Sequence, residues 1–234
     1  MTSGTSPIRV VVDNISLRER TTQVLREAIL NLHFKPGQKL VERRLCEDTG
    51  VSRTCVREAL RHLESEGLVM RSPNRGMFVA VVGPDEARQI YEIRAVLEPA
   101  MVRHFVARAT EKQIALLDAA LTGIEKAIPS KDVLSYVHAL DTFSNVLADG
   151  AGNELARQLI DTLRARITYL RIATSRAATE DRERGTLQAL RGIYEALKRR
   201  DAEAAATLQE AYVERSAIFA QKVLAELEKS TETQ

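Results

Sequence analysis

Apolar side chains near the start of the chain recur every three or four residues, the spacing of one face of an α-helix. They are Leu17, Val24, Leu25, Ala28, Ile29 and Leu32. This face predicts an amphipathic helix over residues 16–32, and Pro36-Gly37 predicts a turn after it. Residues 41–48 predict a short second helix, which Gly50 ends as a C-cap.

A third helix is predicted over residues 52–65, with Ser52 as its N-cap and Gly67 ending it. Four apolar residues of this helix share one arc, which we expect to pack against the two preceding helices. They are Val56, Ala59, Leu60 and Leu63.

Two short β-prone runs follow the third helix, LVMR and MFVAVV, with the turn-rich residues SPNRG between them. Three helices followed by a two-stranded hairpin are typical of a winged helix-turn-helix domain, which we assign to residues 16–82. Residues 1–15 are expected to form a flexible arm, and residues 83–84, Gly83-Pro84, a linker.

From Asp85 onward no strand pattern occurs, and Ala, Leu, Arg and Glu are abundant. Five breaks divide this region into about six helices, long enough to pack as an antiparallel bundle over residues 85–228. The breaks lie near Thr110, Pro129-Ser130, Gly150–Asn153, Ala177–Thr179 and Arg200-Asp201. Residues 229–234 are expected to fray, and the predicted fold class is mainly α.

Charge and composition add a functional contrast between the two regions. Residues 1–83 carry 13 Lys and Arg against 9 Asp and Glu, although the whole chain has a net charge of only +2. A basic first domain favours a polyanionic partner. No apolar run is long enough to span a membrane, and two cysteines are too few for a disulfide framework, so we expect a cytoplasmic protein without a membrane partner.

Three arginines, Arg53, Arg57 and Arg61, recur every four residues on the polar side of the third helix. Such a row can be a solvated basic face. Here it follows a short helix and a tight turn and lies toward the N-terminal half of its helix, the end that enters the DNA major groove. Further arginines come from the second helix and the hairpin, namely Arg43, Arg71 and Arg75.

Arginine suits DNA recognition because it forks onto phosphate oxygens and bridges the N7 and O6 acceptors of guanine. The hydroxyl groups of Ser52 and Thr54 can hydrogen-bond phosphates or bases. Gly76 lets the hairpin tip bend and approach a groove closely. These features predict binding to double-stranded DNA.

The segment that carries these features reads PGQKLVERRLCEDTGVSRTCVREALRHLESEGLVMRSPNRGMFV. It resembles the DNA-binding domain of GntR-type bacterial transcription regulators, which share the PG turn, the VSR-T-x-VREAL helix and the RG wing. The resemblance implies that Arg43, Arg53 and Arg57 contact bases or phosphates. It also implies that Ser52 and Thr54 help to position them, and that Arg75 with Gly76 enters the minor groove.

The helical region is similar to the FCD subgroup, whose C-terminal bundle binds effectors and forms dimers. The similarity rests on IRAVLEPAMVRHFVARAT, FSNVLADGAGNELA and LRGIYEALKRRDAEAAATLQEAYVERS. Many members hold a divalent metal with one Asp and three His. Aligned on these segments, those positions are Leu140, Ser144, Leu190 and Tyr212, which are poor ligands. His138 and Asp141 supply two ligands where stable sites need three or four, so no metal or other cofactor is predicted.

The pocket implied by the resemblance is more apolar at Leu140 and Leu190, with hydroxyl groups at Ser144 and Tyr212. Arg94 matches an arginine that FCD proteins place near the effector, so these five residues are the predicted effector site and a small carboxylate the predicted ligand. The alternative is that Arg94 forms a salt bridge with Glu98, four residues on.

The sequence as a whole predicts a homodimeric, effector-responsive transcription regulator, a repressor by resemblance. A constitutive operator-binding dimer without ligand control is an alternative, because all four family metal ligands are replaced. An enzyme is not predicted. The chain has neither a GxSxG elbow nor a phosphate-binding glycine loop, and its four histidines form no catalytic pattern.

Overall fold

A computed structural model describes residues 16–31, 33–73 and 75–232. The chain divides into two units, one built from most of the first 79 residues and the other containing residues 80–234. The predicted flexible arm, residues 1–15, lies outside the described residues.

The first unit contains three helices and a small antiparallel sheet. Its elements are α1 (Leu17–Leu30), β1 (Lys39–Leu40), α2 (Glu42–Thr49), α3 (Arg53–Ser65), β2 (Val69–Ser72) and β3 (Gly76–Val79). The strand order is β1-β3-β2. The predicted helices and hairpin are confirmed. Strand β1 was not predicted, because a two-residue strand carries no alternation of its own and forms only through pairing of Lys39 and Leu40 with β3.

Local capping explains where these helices begin and end. Ser16 and Glu19 form a capping box at the start of α1. Gly50 ends α2 with φ of 70°, a left-handed conformation that glycine adopts without a Cβ clash. The Ser52 side chain accepts a hydrogen bond from the Cys55 N–H at 3.3 Å and so caps α3. The predicted caps at Gly50 and Ser52 are therefore present.

The predicted apolar arc of α3 forms the core of the first unit. All four of its members, Val56, Ala59, Leu60 and Leu63, are at most 1% exposed. Leu25 and Ile29 of α1 are also buried, with 3% and 1% exposed. Burying a side chain of this size contributes about 1.5–3 kcal/mol, so the rotation of α3 about its axis is determined by its apolar side.

Six helices form the second unit of the described chain, which confirms the predicted all-α bundle. They are α4 (Pro84–Arg108), α5 (Glu111–Ser130), α6 (Val133–Gly150), α7 (Glu154–Ala177), α8 (Glu180–Lys198) and α9 (Ala202–Glu232). Helix α4 packs along α9, and α5 packs along α6 and α8. Fully buried aromatic side chains, Phe105 and Phe143, lie in its core.

The ends of the bundle differ from the prediction. Gly83 is the N-cap of α4 and Pro84 its first residue, so residues 83–84 start a helix instead of forming a linker. Proline suits this position because the first N–H of a helix has no acceptor within the helix. At the other end α9 continues to Glu232, so most of the predicted tail, 229–234, is helical. Residues 233 and 234 lie outside the described residues.

Candidate DNA interface and effector cavity

Helix α3 presents its arginine row on an exposed arc beside the buried one. Arg53 and Thr54 are exposed, and the side chains of Arg57 and Arg61 are 54% and 57% exposed. The prediction that these guanidinium groups face outward is confirmed. Their contacts with DNA stay a prediction.

Two of these arginines are held by carboxylates of the same unit. The Arg57 guanidinium donates to Glu42 of α2, with Nη2–Oε2 at 3.2 Å and Nε–Oε1 at 3.4 Å. These hydrogen bonds raise the pKa of Arg57. Arg61 donates to Glu58 at 2.8 Å. Arg57 uses its Nε and Nη2 for Glu42, so a DNA contact through these two nitrogens would replace Glu42 with a phosphate or a base. Within the described residues its Nη1 group remains a free donor.

Arg53 differs from its neighbours in the row. Within residues 16–31, 33–73 and 75–232 it forms no ion pair with a carboxylate. It lies in the first turn of α3, beside the N–H groups that favour anions. Arg53 is thus the member of the row whose whole guanidinium group can contact a phosphate or a guanine without breaking an existing pair.

The remaining predicted DNA residues lie on the surface of the same unit. Arg43 on α2 pairs loosely with Glu47, with 3.6 Å between Nε and Oε1. Ser52 is exposed, and its hydroxyl hydrogen remains able to donate although its oxygen caps α3. Arg75 is exposed at the hairpin turn, next to Gly76 with φ of 98°, a backbone conformation suited to glycine.

The bundle contains a cavity of about 50 Å³ among five of its helices, α4 and α6–α9. Its described lining is rich in cationic and aromatic side chains. The cationic members are Arg94, Arg171 and Arg182. The aromatic members are Tyr91, Tyr136, Tyr212 and Phe219. This composition suits an anion that carries an apolar body.

Arg94 is buried, with 1% of its surface exposed. Its Nε donates to Glu98 Oε1 at 2.6 Å, and Glu98 Oε2 accepts a second hydrogen bond from Gln209 at 2.6 Å. The guanidinium also lies 4.9 Å from the centre of the Tyr91 ring. Burial alone would lower the pKa of Arg94. The charge of Glu98 outweighs this effect, so the pKa lies above its ordinary value and the group stays charged. The two alternatives for Arg94 therefore coexist: it pairs with Glu98 and it lines the cavity.

Arg171 of α7 forms a second buried ion pair, with Asp141 of α6. Its Nη2 donates to Ser144 Oγ at 2.8 Å, and Thr168 donates to Asp141 at 2.7 Å. Burial would lower the pKa of Arg171, and the charge of Asp141 raises it above its ordinary value. The charge of Arg171 is thus matched by Asp141 before any ligand enters.

Arg182 of α8 is partly buried and has a different environment. It pairs with no carboxylate in the part of the chain that the structure describes. Its guanidinium lies 4.7 Å from the centre of the Phe219 ring and donates to the backbone oxygen of Arg215 at 3.1 Å. Burial, followed by the charge of Arg215, lowers the pKa of Arg182. A ligand carboxylate beside Arg182 would stabilise its charged form and so offset both effects on its pKa.

Three of the five predicted effector residues line this cavity together, namely Arg94, Leu140 and Tyr212. Ser144 does not line this cavity but contacts Arg171, which does. It lines a smaller cavity of about 30 Å³ with Glu98 and Gln209. Leu190 is 2% exposed in the core and outside both linings. The predicted set is thus divided between the cavity and its surroundings.

The described residues do not fit the divalent metal of the FCD subgroup. Leu140 offers no lone pair, and Ser144 Oγ accepts from Arg171. Asp141 is occupied by Arg171 and Thr168, and His138 is exposed. No cluster of three His, Cys, Asp or Glu side chains suited to a metal occurs within the described ranges.

Two arginines of the cavity were missed by the sequence analysis. Arg171 had a usable signal, because it lies among Ile167, Leu170 and Ile172, apolar residues that are also buried. A charged residue on that side of a helix implies a buried partner. Arg182 had no such signal, since it lies in TEDRERG, where exposed ion pairs are the ordinary expectation.

Comparison with known proteins assigns the same two regions. Residues 17–79 match the family described as "Bacterial regulatory proteins, gntR family". Residues 89–215 match the FCD domain. Each match falls within one of the two regions inferred from the sequence, and the FCD match covers more than half of the chain.

Curated relatives are bacterial regulators. The HTH-type transcriptional regulator YdhC of Bacillus subtilis is 30% identical over 182 residues, which cover 77% of this chain and 80% of the relative. The HTH-type transcriptional repressor RspR of Escherichia coli is 29% identical over 155 residues, which cover 66% of this chain and 68% of the relative.

Solved structures share the fold. A GntR transcriptional regulator from Rhodococcus sp. RHA1 has a TM-score of 0.75 and 27% identity, with 89% of this chain and 97% of that chain covered. Escherichia coli McbR/YncC has a TM-score of 0.78 and 24% identity, with 89% and 99% covered, and supports the fold alone.

The family and the relatives are transcription regulators, which confirms the prediction that the chain is not an enzyme. No helix of the described ranges combines the length and the hydrophobicity that a membrane span requires. The chain therefore belongs to the GntR family of bacterial regulatory proteins, as a helix-turn-helix transcriptional regulator with an FCD domain.

Proposed function

We propose that this regulator is a homodimeric repressor in the cytoplasm that binds a near-palindromic operator and is released by a small organic acid. Two-fold symmetry would place one α3 helix on each half of the operator. The exposed arginine row beside the buried arc of α3 is the observation that carries the DNA-binding part. The repressor named among the relatives supports the direction of regulation.

The effector part rests on the cavity. Three guanidinium groups line one partly open cavity, and a cationic lining of this kind favours a carboxylate over a neutral or cationic ligand. The constitutive alternative draws its support from the loss of the metal ligands at Leu140, Ser144, Leu190 and Tyr212. The arginines of the lining can bind an acid without a metal, and this favours a ligand-controlled regulator over the constitutive alternative.

Substitution in the arginine row tests the DNA-binding proposal. Arg53→Ala and Arg57→Ala are each expected to weaken operator binding on the order of tenfold to a hundredfold if the side chain reads a base. Wild-type affinity should also fall steeply between 50 and 200 mM salt, because phosphate contacts release counterions. Fluorescence anisotropy with a labelled operator fragment, identified by genomic footprinting, measures both effects.

Arg88→Ala is a matched control, because Arg88 is an exposed helix arginine outside the first unit that pairs with Glu92. Its operator affinity should equal that of the wild type. A salt-insensitive complex, or full affinity in both α3 variants, would contradict the proposed interface. The dimer is tested separately by light scattering, in which a particle of one chain's mass at micromolar concentration would reject it.

A further inference from the structure

The charges around the cavity are not evenly matched. Arg94 is paired with Glu98, and Arg171 with Asp141, through short hydrogen bonds in buried surroundings. Removing one partner of a buried ion pair leaves an uncompensated buried charge, which is strongly unfavourable in free energy. A ligand carboxylate that displaced Glu98 or Asp141 would cause that loss. These two arginines can therefore donate spare N–H groups, but their charge is already matched.

Arg182 is the lining cation whose charge no carboxylate of the described chain neutralises. The Arg182 Cζ lies over the Phe219 ring, and the backbone oxygen of Arg215 accepts a hydrogen bond from Nη2. The other N–H groups remain available to a ligand. Arg215 adds positive charge beside it, as its effect on the pKa of Arg182 indicates. Arg182 is thus a partly buried cation that lies over an aromatic ring and has no carboxylate partner among the described residues. Such a cation can anchor a ligand carboxylate.

The lining also contains one carboxylate, Glu183, adjacent to Arg182 on α8. A second negative charge on a ligand would lie in the same small space as Glu183. Like charges in a partly desolvated cavity repel strongly. The site is thus suited to one negative charge and opposes two.

From this arrangement we infer that Arg182 is the anion anchor of the cavity and a specificity-determining residue, and that the ligand is a compact monocarboxylate instead of a di- or tricarboxylate. The inference rests on the proposed function, because it assumes that the cavity is the effector site. In this arrangement Arg182 recognises the charge of the ligand. Arg94 and Arg171, whose charges are balanced by Glu98 and Asp141, contribute only hydrogen-bond donors.

Matched acids test the inference on the full-length protein by isothermal titration. The pairs are butanoate and succinate, lactate and malate, and benzoate and phthalate, with butanamide and benzamide as neutral analogues. We expect at least one monocarboxylate to bind, at least tenfold more tightly than its dicarboxylate and its amide. In Arg182→Gln the preference for acid over amide should fall at least tenfold. Arg184→Gln is the control, since Arg184 lies two residues away, is exposed and pairs with Glu180.

The outcomes separate this inference from the proposed function. If a carboxylate binds and releases operator but Arg182→Gln retains wild-type affinity, the role of Arg182 is rejected and the effector proposal stands. If the dicarboxylates bind more tightly than their monocarboxylates, the inferred preference for one charge is rejected and the effector proposal again stands. If no acid of the panel binds while operator binding is normal, both the inference and the effector proposal are rejected. Should Arg182→Gln not fold, the acid, amide and dicarboxylate comparisons on the wild-type protein still decide whether one charge is recognised.

Discussion

The side chain of Arg171 changes the chemistry of the residues around it. Ser144 and Asp141 both interact with this guanidinium, so neither is available to a metal ion or to a ligand without breaking a buried contact. Leu140, which directly precedes Asp141 in the chain, lines the cavity with an apolar side chain. A positive charge supplied by the protein thus contacts Ser144 and shares the cavity with Leu140, two positions at which the resemblance to the FCD subgroup implies metal ligands.

Glu183→Gln provides a prediction at the residue scale. Removing this carboxylate should tighten monocarboxylate binding roughly two- to fivefold, the effect of a partly screened like-charge pair of about 0.5–1 kcal/mol. Burial, and then the charge of Glu180, raises the pKa of Glu183. Glu183 therefore takes up a proton at a higher pH than an ordinary glutamate. Wild-type binding should consequently strengthen as the pH falls from 7 toward that range, and the variant should lose this dependence.

Titration calorimetry from pH 7 to pH 5 measures the effect of Glu183→Gln. The pH range ends at about 5 because the ligand carboxylate itself takes up a proton at lower pH. Asp181→Asn is the control, since Asp181 is an exposed residue of the same first turn. Weaker binding in Glu183→Gln would contradict the proposed location of the ligand charge.

Helix ends and helix contacts determine where each element lies. Gly150, the last residue of α6, has no Cβ, and the Phe105 ring occupies the adjacent space: an added Cβ would lie 2.3 Å from Phe105 Cε2. Phe105 is fully buried on α4, so the ring cannot move without disturbing the core. The glycine therefore permits close approach of α4 and α6 at this point.

Substitution of two helical glycines separates close packing from helix propensity. Gly150→Ala should lower the free energy of unfolding by about 1–3 kcal/mol, the usual cost of overpacking a core. Gly185→Ala in α8 should raise it by about 0.5–1 kcal/mol, because its Cβ would meet nothing within 4 Å and alanine favours a helix. Urea denaturation followed by circular dichroism measures both. Equal stability of the two variants would argue against the packing role of Gly150.

At the scale of the whole molecule, the proposed regulation is a coupling between two binding reactions. An effector releases operator DNA only if it binds the DNA-free state more tightly than the DNA-bound state. Typical coupling free energies are about 1–3 kcal/mol, or roughly 5- to 150-fold in affinity. The same factor must reduce effector affinity when operator is bound.

This reciprocity gives a prediction for the complete regulator. A saturating monocarboxylate that binds the cavity should lower operator affinity by roughly 5- to 150-fold, and operator should lower the affinity for that acid by the same factor. Anisotropy titrations with and without the acid, paired with calorimetry with and without operator, measure the two factors. An acid that binds in the cavity and leaves operator affinity unchanged would support the constitutive alternative.

The sequence by itself determined the order of helices, the hairpin, the exposed arginine row and the division into two regions. These features depend on local spacing, since an apolar arc of α3 that includes Val56 and Leu60 orients Arg53 and Arg57 outward wherever the helix packs. Caps at Gly50 and Ser52 depend equally on neighbouring residues. The start of α4 at Gly83-Pro84 differs from the prediction because the same dipeptide occurs in linkers and at helix N-termini.

Only the tertiary structure decided which charges around the cavity are matched. Arg171 meets Asp141, thirty positions away in the chain, and Glu98 meets Gln209 from another helix, so no spacing in the sequence predicts either contact. Arg182 differs from Arg184 by lying over Phe219 and toward the cavity, although both occupy the same polar run. Charge balance in a buried site depends on which helices pack together, and this is a property of the fold as a whole.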